Sequence, residues 1–119
     1  MGTKYSVNTD FVEDWLTQDN NKSQMVDTEA RAIFLLVLEV FEDVGPIAAR
    51  EKLPRSRTKH LFDGVWEIRV AQYRIAYFWD SSTCVLLHGI KKKRDEWTSQ
   101  EKEVVKKRKA HYLKEKKDF

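Results

Sequence analysis

Three consecutive runs of strand-forming residues at positions 65–93 constrain the fold of this chain more than any other feature. The runs read V-W-E-I-R-V, Y-R-I-A-Y-F-W and C-V-L-L-H-G-I-K-K-K, and β-branched and aromatic residues dominate them. Connections of about two to four residues separate the runs, which is the length that joins antiparallel neighbours. The sequence therefore predicts three antiparallel strands at the centre of the fold.

Alternation along the first two strands divides their side chains between two faces of the sheet. One face carries bulky apolar side chains, which we expect to be buried together: Trp66, Ile68, Val70, Tyr73, Ile75, Tyr77 and Trp79. The opposite face carries Glu67, Arg69 and Arg74, and we expect these three charged side chains to be exposed. Arg69 and Arg74 should project side by side, because adjacent strands bring them together.

Helical patterns dominate the first half of the chain. Residues 4–8 predict a short strand, and a short amphipathic helix follows it. The clearest helix is capped at positions 27–28 and ends at Gly45, which suits the left-handed position after a last turn. Leu35 and Leu36 widen its apolar stripe. This helix is therefore either the central core helix, which we favour, or a helix that also faces a partner.

A final helix is predicted from T-S-Q-E at 98–101, which fits a capping box, to about residue 117. Lysine and arginine dominate it, and because its apolar stripe is thin we expect it to dock loosely. The whole pattern predicts an α+β fold. In that fold the N-terminal helices pack on a mainly antiparallel sheet of about four strands, and a basic helix ends the chain.

Length and charge predict one domain spanning residues 1–119, with an uneven distribution of charge. Residues 1–64 hold 8 Lys/Arg against 11 Asp/Glu, whereas residues 65–119 hold 14 against 8. The basic second half indicates a polyanionic or acidic partner. A solvated basic surface without any partner fits the charge equally well.

Cysteine content and hydropathy predict a cytoplasmic location. Cys84 is the only cysteine, so no disulfide can form within the chain, as is usual in a reducing compartment. The opening M-G-T-K-Y-S lacks the apolar stretch of a signal peptide. The longest apolar run, at 32–38, is too short to span a bilayer, so no membrane partner is expected.

The residues that can carry chemistry are cations rather than metal ligands. The three histidines lack the short spacings of zinc sites, and no glycine-rich phosphate loop is present. Arg69, Arg74 and Lys92, with Lys59 from a basic loop before the sheet, can clamp a phosphate or stabilise its transition state. The same cations can also serve only for binding, or can make an open sheet face soluble while pairing with Glu67 and neighbouring carboxylates. His88 is either a buried core residue or a proton shuttle.

Three residues outside this group also have two possible roles each. Arg55 and Arg57, in the basic loop R-S-R-T-K, either contact phosphates or simply face solvent, and solvent is the favoured alternative. Trp97 either stacks on a nucleic-acid base or packs at the edge of the last helix.

The ordered motifs T-K-H-L-F-D-G-V-W-E-I-R-V, Y-R-I-A-Y and L-L-H-G-I-K-K-K precede a basic helix that ends A-H-Y-L-K. This set resembles the HigB-like (phage Gp49-like) branch of the RelE/ParE superfamily, the toxins of type II toxin–antitoxin modules. The resemblance covers nearly the whole chain. It implies a small α+β domain with N-terminal helices packed on a mainly antiparallel sheet.

The resemblance also implies an activity, namely a ribosome-dependent endoribonuclease (mRNA interferase) that inhibits translation and growth. The family's chemistry uses neither a metal nor another cofactor: the RNA 2′-hydroxyl attacks its adjacent phosphate. By position, Arg69 and Arg74 would contact the scissile phosphate, and Lys92 or His88 would transfer protons. We expect further RNA contacts from a wider basic set: Lys59, Lys91, Lys93, Arg55, Arg57 and Trp97.

The implied partners are a cognate antitoxin of the HigA-like, helix-turn-helix type, the ribosome and mRNA. Two departures from the family pattern leave the late catalytic group open. Ile90 stands where Phe is usual, and R-D-E-W at 94–97 replaces a Thr followed by a Pro-containing turn. Two other functions fit the same fold: a non-catalytic RNA- or ribosome-binding module, and a ParE-like gyrase inhibitor.

Overall fold

A computed structural model describes residues 5–17, 27–92 and 96–117 of the chain. Its helices and strands follow in the order β1 (Ser6–Asn8), α1 (Glu13–Thr17), α2 (Thr28–Lys52), β2 (Thr58–Phe62), β3 (Val65–Val70), β4 (Tyr73–Asp80), β5 (Thr83–Lys91) and α3 (Ser99–Lys117). A 3₁₀ turn, Arg55–Arg57, leads into β2. The predicted α+β class is confirmed.

The five described strands form one mixed sheet in the order β1-β5-β4-β3-β2. The three predicted central strands, β3, β4 and β5, are antiparallel neighbours, and β1 joins the far edge parallel to β5. Asp63 and Gly64 connect β2 to β3 with φ of 44° and 76°. Two consecutive positive φ values are what a two-residue type I′ hairpin turn requires, and Asp-Gly supplies them readily.

The sheet has one strand more than predicted, because β2 was interpreted as a loop. Its sequence T-K-H-L-F has no alternation of apolar and polar residues, and its register shifts between His60 and Phe62. The tight turn at Asp63-Gly64 nevertheless folds it back onto β3. Lys59 consequently lies within the sheet, opposite Glu67, instead of in a loop before it.

One face of the sheet is buried against α2, as the alternation predicted. Phe34, Val37 and Phe41 of α2 pack in one core cluster with Ile68 and Ile75 of the sheet. The predicted cap is confirmed: Asp27 Oδ1 accepts hydrogen bonds from the backbone N–H groups of Glu29 and Ala30, at 2.9 and 3.2 Å. These contacts make α2 the core helix of the described structure.

Helix α2 is interrupted at Gly45, as predicted, and its helical turns resume at Pro46 and continue to Lys52. Gly45 has φ 79° and ψ −174°, outside the helical region, and Pro46 restarts the helical turns. A Cβ atom at position 45 would collide with the ring of Tyr5, so only glycine fits. On the outer side of α2, Leu35 and Leu36 remain 56% and 59% exposed.

The second face of the sheet is covered, which contradicts the prediction of an open face. Val65, Ala76 and Phe78 of this face form a second core cluster with Trp97 and Val105. These small and apolar side chains share this face with Glu67, Arg69 and Arg74, because residues two apart along a strand point the same way, so a helix can cover this face as well. The sheet therefore lies between α2 on one side and α3 on the other.

The last helix is anchored along its length, which contradicts the predicted loose docking. The capping box is confirmed by two hydrogen bonds between Thr98 and Glu101, at 2.8 and 3.1 Å. In the middle of α3, Arg108 donates to the Leu87 carbonyl at 2.8 Å. Near the end, Lys116 donates to the Asp80 carboxylate at 2.8 and 2.9 Å. Polar anchors thus replace the wide apolar stripe that the sequence lacks.

No helix within the described ranges combines the length and apolarity needed to cross a lipid bilayer.

Candidate functional site

Two arginines lie side by side on the face of the sheet that α3 covers. Arg69 of β3 pairs directly with Arg74 of β4 in the antiparallel register, which confirms the predicted adjacency. Their side chains are 28% and 11% exposed. A directly opposed pair of like charges is unfavourable in a sheet, so this arrangement requires a counter-charge.

Glu67 provides that counter-charge from two residues before Arg69 on the same face. Its Oε2 atom lies 3.1 Å from the Nε atom of Arg69 and 3.7 Å from that of Arg74. Only 1% of the Glu67 surface is exposed, so the prediction of an exposed carboxylate is wrong. A buried carboxylate is costly unless it is paired and hydrogen-bonded, and here both conditions are met.

The other Glu67 oxygen is bound by a residue thirty positions later in the chain. Trp97 Nε1 donates to Glu67 Oε1 at 2.7 Å, a buried, charge-assisted hydrogen bond. Trp97 itself is 5% exposed, because it packs between the sheet and the start of α3. The ring therefore has the packing role that was one of its two alternatives, and in this conformation it offers no face to a base.

Backbone contacts fix the ends of the two strands that carry the arginines. Arg74 Nη1 donates to the carbonyls of Ala71 and Tyr73, both at 2.8 Å, and so braces the β3–β4 turn. Arg57 Nη1 donates to the Arg69 carbonyl at 2.8 Å. Arg57 thus supports β3 from the preceding 3₁₀ turn rather than facing solvent as a plain loop residue.

A β-bulge turns the end of β5 toward the arginine cluster, which is the group formed by Arg69, Arg74, Glu67 and Trp97. Tyr77 pairs with Leu86 but Ala76 pairs with His88, so Leu87 is the extra residue. Val85, before the bulge, and Leu87, within it, both face α3. The phase then changes, so His88 is the next side chain on that face, and Ile90 follows it opposite Arg74. Bulges commonly re-aim side chains in this way next to functional sites.

His88 and Lys92 both face the ring of Trp97. The His88 ring centroid lies 6.2 Å from that of Trp97, and Lys92 Nζ lies 5.8 Å from the same indole. Burial, reinforced by Arg108, whose Nη1 is 3.5 Å from His88 Nδ1, holds the pKa of His88 below its ordinary value. The imidazole is therefore neutral at neutral pH.

A cleft of about 260 Å³ opens beside this cluster at the β2 edge. Lys59, Glu67, Glu96, Trp97 and Lys102 contribute to its wall. Cations from β2 and from the first turn of α3, Lys59 and Lys102, therefore line the same polar cleft as the carboxylate residues Glu67 and Glu96.

The comparison with protein families gives a match to the phage-derived Gp49-like proteins (DUF891), over residues 23–110. The chain belongs to this Gp49-like family. The matched range is about three quarters of the chain and contains every residue of the arginine cluster and the cleft. No match was found among curated proteins.

Membership of the Gp49-like family supports the predicted class of protein, a toxin of a toxin–antitoxin module. It places the chain in the RelE/ParE-like toxin–antitoxin context, is consistent with RNase toxin activity, and suggests a cognate antitoxin as a partner. Within the described residues of this Gp49-like chain, no three His, Cys, Asp or Glu side chains are grouped so as to hold a metal ion.

The predicted site residues of the Gp49-like chain divide into those near the cluster and those apart from it. Arg69, Arg74, His88, Lys92 and Trp97 lie together, and Lys59 reaches the cleft. Arg55 is exposed in the turn before β2. Lys91 pairs with Tyr73, which faces α2. The side chain of Lys91 therefore lies on the α2 face of the sheet, away from the arginine pair. Lys93 lies outside the described residues.

Two residues that organise the site were missed or given another role by sequence reasoning. Glu67 was expected on an exposed face, as a possible partner of the cations, and Trp97 was considered either for base stacking or for packing, but the hydrogen bond between the two was not predicted. The available signal was the spacing Glu67-x-Arg69 on one strand face, which places a carboxylate beside a guanidinium. Nothing in the local sequence of either residue reveals the contact between Glu67 and Trp97, because it depends on how α3 returns to the sheet.

Proposed function

We propose that this Gp49-like chain is an mRNA-cleaving toxin of a HigB-like toxin–antitoxin module, acting on the ribosome in the cytoplasm. The observation that carries the proposal is the directly opposed pair of Arg69 and Arg74. Both Nε atoms approach one anionic oxygen, Glu67 Oε2, so the pair has the spacing to address a single oxyanion. Arginine pairs of this kind suit phosphodiester recognition.

The proposed reaction needs no metal. The 2′-hydroxyl oxygen forms a bond to its adjacent phosphorus while the bond from phosphorus to the 5′-oxygen breaks, which leaves a 2′,3′-cyclic phosphate and a 5′-hydroxyl. Arg69 and Arg74 stabilise the extra negative charge on the phosphoryl oxygens in the transition state. Proton removal from the 2′-hydroxyl and proton delivery to the 5′-oxygen are assigned to Lys92 or His88.

The pKa of His88 supports a role as proton acceptor. Burial lowers this pKa, so at neutral pH the imidazole is unprotonated and has a lone pair available. The remaining substrate contacts are assigned to cations around the cleft and the β2 edge, first Lys59 and then Arg55, and Lys91 is assigned an RNA contact further from the reacting phosphate. Lys93 is assigned an RNA contact from the family resemblance alone. Neutralisation of the toxin is assigned to a HigA-like antitoxin.

The test is induction of this chain alone, followed by mapping of mRNA 5′ ends. We expect growth arrest with new cuts inside translated frames, and no cuts when translation is blocked. In the double variant Arg69→Ala/Arg74→Ala the cuts should disappear while association with ribosomes persists, because many other cations remain. Lys107→Gln is the matched control, since it removes an exposed cation from α3 and should leave cleavage unchanged.

Three outcomes would contradict the proposal. Equal loss of ribosome association and cleavage in the double variant would identify a binding module in which these arginines serve only affinity. Growth arrest with DNA damage and intact mRNA would identify a gyrase inhibitor. Cuts that persist when translation is blocked would exclude dependence on the ribosome.

A further inference from the structure

We propose that Glu67 is a positioning residue that sets the geometry of the arginine pair. This inference rests on the proposed function, because it assigns Glu67 a role in the same reaction. The inference starts from the register: Arg69 and Arg74 are directly opposed, so their guanidinium groups repel each other unless an anion lies between them. Glu67 is the carboxylate that contacts both.

The two oxygens of Glu67 have separate partners. Oε2 faces the Nε atoms of Arg69 and Arg74, whereas Oε1 accepts the Trp97 Nε1–H hydrogen bond at 2.7 Å. Holding one oxygen on Trp97 fixes the rotation of the carboxylate, so the other oxygen stays between the arginines. The guanidinium planes are then oriented from within the protein, independently of any substrate.

This orientation matters for the proposed reaction because arginine stabilises a phosphoryl transition state only with its N–H groups aimed at the charge that develops. A guanidinium held at Nε has its remaining N–H donors directed along fixed lines, since the group is planar. Glu67 does not touch the reacting atoms in this assignment. It acts through Arg69 and Arg74.

Glutamine is the most informative replacement for Glu67, because it has the same shape as glutamate but only one acceptor oxygen. If the oxygen of the introduced glutamine stays on Trp97, its amide N–H₂ group faces the arginines and repels them. If the amide turns over, the bond to Trp97 is lost instead. In either orientation the arginine pair loses its counter-charge, while the volume of the core is unchanged.

We therefore expect Glu67→Gln to separate the two kinetic constants for cleavage of mRNA on programmed ribosomes. The kcat should fall by about tenfold or more, because Arg69 loses its contact at Nε and the two guanidinium groups, with no anion between them, repel each other, although the Ala71 and Tyr73 carbonyls still hold Arg74. The KM should decrease, because removing one negative charge makes the site more attractive to phosphate. Glu67→Asp, which keeps the charge on a shorter side chain, should recover part of the kcat.

A merely structural role would give a different result. It would lower the amount of folded protein and reduce kcat without decreasing KM, in parallel with a loss of thermal stability, and Glu67→Asp would recover nothing. Glu39→Gln, on the exposed side of α2, is the control for removal of a carboxylate elsewhere. An increase in KM for Glu67→Gln would also refute the positioning role.

A second measurement needs no activity and separates this inference from the proposed function. In ¹⁵N-arginine-labelled protein, the Nε–H signals of Arg69 and Arg74, assigned through their lysine variants, should shift and exchange faster with water in Glu67→Gln. Unchanged signals would refute the positioning role even if the wild type cuts RNA. If these signals change but the wild-type chain does not cut RNA, the proposed function fails and the positioning role for that reaction falls with it.

Discussion

The hydrogen bond between Trp97 and Glu67 gives the strongest test of how the site is built. Trp97→Phe keeps an aromatic ring in the core but removes the Nε1–H donor from a carboxylate that is 1% exposed. Loss of a hydrogen bond to a charged group costs about 1.5–3 kcal/mol. The smaller ring adds a packing loss of about 1 kcal/mol. We therefore expect the free energy of unfolding to fall by about 2.5–4 kcal/mol.

Urea unfolding of a double-mutant cycle with Glu67→Gln measures the part that belongs to the pair. The neutral amide makes a weaker bond to Trp97 than the carboxylate does, so the two substitutions should couple by about 1 kcal/mol or more. Trp79→Phe is the matched control, because Trp79 packs on the α2 side of the sheet and should be additive with Glu67→Gln. Additivity of Trp97→Phe with Glu67→Gln would refute this energetic coupling.

Three further perturbations test the fold and its dependence on pH. Gly45→Ala should lower the unfolding free energy by about 2 kcal/mol or more in urea titrations, because φ is 79° there and a Cβ meets the Tyr5 ring. The Lys116 hydrogen bond holds the pKa of Asp80 below its ordinary value. The stability that ionised Asp80 contributes is therefore present above about pH 4 and is lost as pH falls through the folded-state pKa. In Asp80→Asn, the melting temperature should fall less steeply as the pH is lowered. His88 also has a lowered pKa, so folding favours its neutral form. The free energy of unfolding should therefore decrease as the pH is lowered from about 7.5 to about 5.5. Urea unfolding of His88→Gln at these two pH values should show a smaller decrease.

The strands at the centre of the fold were predictable because their information is local. The β-rich runs and short connections of residues 65–93 determined the antiparallel pairing, and the pairing placed Arg69 beside Arg74. The cap at Asp27 and the capping box at Thr98 were likewise predictable, because each joins residues only two or three positions apart. Each of these features depends on groups within a few positions of one another, which is where sequence patterns carry their signal.

The errors concern features that depend on residues far apart in the chain. Strand β2 has no alternation of its own, and its place in the sheet depends on the turn that follows it. The predicted open face is buried because α3 returns to it, although α3 has little apolar surface. The bulge at Leu87 changes which residues of β5 face α3, and a strict alternation cannot predict such a change of phase.

The position of Trp97 links the docking of α3 to the geometry of the arginine pair. Trp97 directly precedes the Thr98 cap, so the start of α3 and the hydrogen bond to Glu67 share one short piece of backbone. Movement of the start of α3 away from the sheet would withdraw the donor from Glu67 and free the carboxylate to rotate. By thermodynamic linkage, an anion that binds the oriented arginines stabilises docked α3, and a partner that displaces α3 weakens anion binding to the same degree. Orientation of the cations and docking of the helix are therefore parts of one equilibrium, although residues thirty positions apart create it.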